Sequence, residues 1–188
     1  MADQDVSALT LLKTLTVGKG QTMEIYVDES QPEDSIYRYT MDTISTGEED
    51  LVIPPHWHKH HQEHFSVLQG KLEVTVNGKM SILNVGDEPM ILERGAVHSM
   101  KAYKGEPVIF RERPDPPGIY KAIFFNDMFA KGGFPGVLHA LRAFYDGDGY
   151  MALPFGSRLL DEIVSLLPKG CRAGVYACMH IPYFFFLD

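Results

Sequence analysis

The sequence predicts a mainly β fold, a small jelly-roll β-barrel followed by a short C-terminal helical extension, on three observations. Up to about Arg113 the chain consists of short runs rich in Val, Ile, Tyr and Phe, separated by Gly, Pro and Asn. No helical period of any length interrupts them, and regularly spaced strands without crossover helices favour a closed barrel or a double-sheet jelly roll. Beyond RPDPPG (residues 113–118), three segments place their apolar residues at helical spacing instead.

The elements follow in order. MEIYVD (23–28) and IYRYTMDTI (36–44) are the early strands, and LEVTVNGKMSIL (72–83) is the clearest pair. Its Asn77-Gly78 sits between two alternating runs and takes up the positive backbone angles of a two-residue hairpin turn. PMILE (89–93), AVHSMKAY (96–103) and PVIFRER (107–113) continue the series, with turns at Gly86-Asp87, Arg94-Gly95 and Lys104-Gly105. The prolines Pro114, Pro116 and Pro117 then stop the strand and stiffen a connector. KAIFFNDMFA, VLHALRAFYD and SRLLDEIVSLL place apolar residues at helical spacing, the last stopped by Pro168 and Gly170, and two or three short helices packed on the barrel are expected. The expected division is an N-terminal segment at 1–22, the barrel at 23–113, and a Pro-rich connector with helical extension at 114–188. Residues 173–187 carry no charge beyond what His180 gains, so that stretch is expected to be buried against the domain or a partner, or else to lie exposed as an aggregation liability.

Composition narrows the function. A chain of 188 residues, 45% hydrophobic, buries a core of ordinary size. Its 25 acidic residues against 17 Lys plus Arg, with no basic run, exclude nucleic acid as a partner, because nothing would neutralise a polyanion. The start, MADQDVSALTLLKTLTVG, lacks the basic flank and apolar core of a secretory signal, and no apolar run reaches the length of a membrane span. A soluble, cytoplasmic protein is expected. Cys171 and Cys178 have no second pair with which to complete a thiolate zinc site and read as small apolar fillers. DGDGY (146–150) resembles the start of a calcium loop, but Tyr150 and Ser157 stand where oxygen ligands are required, so it reads as a turn.

Five of the eight histidines fall within the nine residues 56–64, in PPHWHKHHQEHFSVLQG. Strand alternation puts His56, His58 and His60 on one face and Trp57 and Lys59 on the other. After a turn around His61 and Gln62, Glu63, Phe65 and Val67 share a face, opposite His64 and Ser66. A carboxylate beside Phe and Val needs a compensating charge, which a divalent cation held by His56 and His58 would provide. His61 and His64 are expected to face solvent. His98, among Ala96, Met100 and Ala102 on one strand face, is a fourth candidate.

These residues resemble the two motifs of the cupin superfamily. His56, His58, Glu63 and Gly70 fit the second half of G-x5-H-x-H-x3-4-E-x6-G, with four residues between His58 and Glu63. Gly86, Gly95 and His98 match G-x5-P-x-G-x2-H-x3-N more loosely: Glu93 replaces the proline, one extra residue follows Gly86, and the final Asn is missing. The resemblance implies a cupin-type jelly roll holding one metal through His56, His58, Glu63 and His98. Iron or manganese is the first expectation, with nickel, zinc, cobalt and copper open to the same mixed N/O donor set. It also implies a homodimer.

Four protein ligands leave about two coordination positions for a bidentate substrate, or for one substrate oxygen and dioxygen. Glu63 is the expected proton acceptor. Phe65, Val67, Val74, Val76 and Met100, with His60, are the expected pocket walls, and their apolar character favours an aromatic or polyketide-like small molecule. A metal-dependent dioxygenase or related oxidoreductase is the leading expectation. The alternatives are a redox-silent isomerase, decarboxylase, dehydratase or cyclase, and a non-enzymatic cupin binding module.

Overall fold

Alternating apolar side chains build two antiparallel sheets that face each other across a shared core. With strands numbered in chain order, β1 (Thr10–Gly18), β2 (Gln21–Val27), β3 (Tyr39–Ser45), β10 (Val108–Asp115), β5 (Gln62–Gln69) and β8 (Met90–Leu92) lie side by side in one sheet. The other runs β11 (Gly149–Met151), β4 (Leu51–His58), β9 (His98–Ala102), β6 (Lys71–Val76) and β7 (Lys79–Asn84). The chain crosses repeatedly between the sheets, which is the jelly-roll arrangement. The structure is a computed structural model and describes residues 8–153 and 156–166. Cys171, Cys178, His180 and the uncharged C-terminal stretch lie outside the described residues.

Local chemistry accounts for the turns. Asn77 and Gly78 have φ of 49° and 81° and join Val76 to its partner Lys79, as the left-handed pair of a tight hairpin must. Gly70 has φ of 73°, and a Cβ there would stand 2.3 Å from the Pro107 carbonyl oxygen, so only glycine lets β5 pass directly into β6. Strand structure starts at Thr10, ahead of the boundary expected at residue 23. The β1–β2 hairpin turns at Gly20, φ 65°, and sends Leu15, Met23 and Ile25 inward.

Between the sheets, Leu51, Phe65, Val67, Leu72, Val74, Leu83, Leu92, Met100, Val108 and Phe110 form the main core. A second cluster joins Leu15, Met23, Ile25 and Met41 to Ala122 and Phe125 of α1 (Tyr120–Phe129). Met128 of that helix packs on Ala140 and Ala143 of α2 (Val137–Asp146). The third helix, α3 (Arg158–Leu166), is tied to the barrel through Asp161, which accepts hydrogen bonds from Trp57 Nε1 at 3.0 Å and Leu153 N at 2.9 Å. No helix among the described residues is long and apolar enough to cross a membrane.

Candidate metal centre

Two prolines set the site's geometry. β4 pairs Ile53 with Met100 and His56 with His98, so Pro54 and Pro55 together oppose only Ser99, and the strand bulges there. The bulge shifts the alternation by one residue: Leu51 and Ile53 face inward before it, His56 and His58 after it. Trp57 is turned to the other side, where it stacks on Tyr150 of β11 at 4.6 Å between ring centroids. His98 arrives opposite His56 from β9, and Glu63 arrives from β5 in the facing sheet.

One donor atom from each of His56, His58, Glu63 and His98 lies within 4.8 Å of the others, and all four side chains are buried. Each imidazole is held by a backbone carbonyl: His56 Nδ1 to Pro54 O, His58 Nδ1 to Asp148 O and His98 Nδ1 to Ala96 O, all at 2.9 Å. A carbonyl only accepts, so Nδ1 carries the proton in all three rings and Nε2 presents a lone pair. His58 Nε2 then faces Glu63 Oε1 at 3.0 Å, and His98 Nε2 faces Oε2 at 3.3 Å, acceptor against acceptor. Neither of these buried nitrogens has a hydrogen-bond partner. Lone pairs and a carboxylate converging without a shared proton are what a divalent cation needs, so the residues fit a metal.

Burial, and then the neighbouring imidazoles, hold the His56 pKa well below its ordinary value. Burial likewise pushes His58 down to about 4. Both rings are therefore neutral at neutral pH and ready to ligate.

Three participants are absent from the sequence-based site. Lys121, in the first turn of α1, reaches Glu63 Oε1 and lies 3.1 Å from Glu112 Oε1 on β10. Two buried carboxylates thus share one cation. Burial alone would raise the Glu63 pKa, but the charges beside it, Lys121 among them, hold it well below the usual carboxylate range. Glu112 is pushed the other way, up to about 8, by burial and by the Glu63 charge, only partly offset by Lys121.

The third participant is Asp148, at φ 60° in the turn read from DGDGY. Its carboxylate accepts His60 N at 2.7 Å, Lys59 N at 3.3 Å and His61 Nδ1 at 2.8 Å. These bonds draw the 59–61 loop in, and His61, expected in solvent, is 2% exposed with Nε2 3.5 Å from Glu63 Oε1. His64 lies on the opposite strand face, 3.8 Å from Asp115 Oδ2.

The cluster opens on a cavity of about 290 Å³. Phe65 and Met100 line it, as do His56, His58 and Glu63. Val67 and Val74 belong instead to the main core, with Val76 packed against it, and His60 is exposed because strand β4 ends at His58. The missing wall comes from the helical extension: Phe124, Phe125, Met128 and Phe129 of α1, Phe134 of the following loop and Phe144 of α2. Helical periodicity foretold these helices, but not which strands they would roof.

Among solved structures, KdgF from a Halomonas species is similar at 22% identity, over 54% of this chain and 86% of that one, with a TM-score of 0.42. The polyketide cyclase RemF from Streptomyces resistomycificus shares 16% identity over 65% of this chain and 93% of its own, TM-score 0.43. The Cnp3 cupin domain of Schizosaccharomyces pombe shares 21% over 63% and 76%, TM-score 0.40. No curated protein matches the chain in sequence. Residues 44–111, which carry all four converging side chains, match the family model described as Cupin domain, and this region of the chain is a domain of the cupin superfamily.

Proposed function

We propose that the chain is a metal-dependent enzyme acting on a small aromatic or polyketide-like molecule, with dioxygenase or related oxidoreductase chemistry as the leading reading. The carrying observation is the convergence of three Nε2 lone pairs and the Glu63 carboxylate, of which His56, His58 and Glu63 line an aromatic-walled cavity. A divalent transition metal, iron or manganese first, would be held by His56, His58, Glu63 and His98 and would supply Lewis acidity or electron transfer.

The chain's own residues do the rest. Phe124, Phe129 and Phe144 would stack on a planar ligand and keep water from the reacting atoms. The carbonyls of Pro54, Asp148 and Ala96 fix the three rings, so binding costs little reorganisation. Held low by its neighbours, Glu63 is a weak base, and we assign it to the metal rather than to the proton transfer expected of it. Glu112, at 3.1 Å from Lys121 on the same cavity wall, is the better placed proton carrier.

That acid–base pair also favours a second reading, in which a redox-silent metal assists isomerisation, decarboxylation, dehydration or cyclisation. Oxygen uptake with catechols, flavonols and enolised ketones separates the two. Metal-loaded protein that consumes one dioxygen per substrate supports the first reading; turnover without oxygen uptake supports the second; no turnover of any probe leaves the binding module. A homodimer belongs to the same proposal, and the exposed Met80, Ile82, Val85 and Ile91 offer apolar surface to it. A monodisperse monomer by light scattering at micromolar concentration would refute it.

A further inference from the structure

Among the described residues, Lys121 is the one Lys or Arg lining the cavity, and it enters from α1, outside the region matched by the family model. Its ammonium has three N–H donors and two carboxylate partners, Glu63 and Glu112. Only the bond to Glu63 is a hydrogen bond, so at least one donor remains for a group inside the cavity. Phe124 and Phe125 each stand 5.5 Å from Nζ, so the charge is walled by aromatic faces, not by water.

The charge balance gives that donor a partner. With three neutral imidazoles, a divalent metal, Lys121 and both Glu63 and Glu112 ionised, the groups at the cavity carry a net single positive charge, Asp148 lying behind His61 and outside the lining; a proton on Glu112 would make it double. Either is costly in a cavity whose other walls are mostly apolar, and costs least when a negative ligand enters with the substrate. We propose that the cavity takes a planar apolar ligand bearing an anionic oxygen, an enolate, phenolate or carboxylate, and that Lys121 binds that oxygen beside the metal. This rests on the metal reading of the site, and it narrows the substrate class from aromatic to aromatic anion.

The test compares 2-naphthoate with its neutral methyl ester, which has no ionisable oxygen, by calorimetry on metal-loaded protein whose metal content is measured in each sample. Wild type is expected to bind the acid at least about tenfold more tightly than the ester, Lys121→Met to reduce that ratio about tenfold, and Lys121→Arg to retain most of it. Metal-loaded wild type that binds acid and ester alike overturns the inference alone, as does a folded Lys121→Met that keeps the full ratio. A wild type that takes up no metal overturns both this inference and the reading beneath it. Should Lys121→Met fail to fold, the wild-type ratio decides by itself.

Discussion

Asp148 shows how much one side chain can organise. Its carboxylate gathers three donors from residues 59–61, while its backbone carbonyl orients His58. Asp148→Ala is expected to cost about 2 kcal/mol of stability, because the three donors lose their acceptor. It should also weaken metal binding roughly tenfold or more, through the loosened His58, in a calorimetric titration of metal-free protein. Glu112 carries a pH prediction. Its folded pKa is raised from 4.5 to about 8, so the folded chain holds a proton that the unfolded chain has released. Its contribution therefore falls as pH rises between those values. Glu112→Gln should match wild type near pH 5 and melt at a higher temperature near pH 8; equal melting temperatures across that range would contradict the assignment. The convergence of His56, His58, Glu63 and His98 was legible because strand alternation and motif spacing are local. Lys121 and Glu112 were not, since nothing near Lys121 announces a partner 58 residues away.

Elements were legible where the period was clean. The Asn77-Gly78 hairpin and the three helices among the described residues follow from alternation and helical spacing, whereas β1 and the short β11 do not stand out. The bulge at Pro54-Pro55 was hidden too: two prolines within a strand mark an irregularity, but not the shift of parity that carries His56 and His58 inward. The turn at Gly70 makes a quantitative demand. Gly70→Ala meets both a positive φ and the Pro107 carbonyl, and should lower stability by about 1–3 kcal/mol in urea unfolding. Gly78, equally left-handed but with open space around its Cβ position, should tolerate alanine better.

Among the described residues, the barrel supplies the four converging side chains proposed to hold a metal, and the helical extension supplies most of the aromatic wall and the cavity's lysine. On the proposed reading, metal site and specificity would come from different parts of the chain, and the match to the Cupin domain model reaches only the first. The central claim is that His56, His58, Glu63 and His98 hold a metal. It is tested most directly by elemental analysis of protein purified from metal-replete medium, alongside His56→Ala and His58→Ala variants whose folding is checked by circular dichroism. About one transition-metal ion per wild-type chain, lost from folded variants, is the result expected. A metal-free wild type, or variants that keep the full complement, would contradict it.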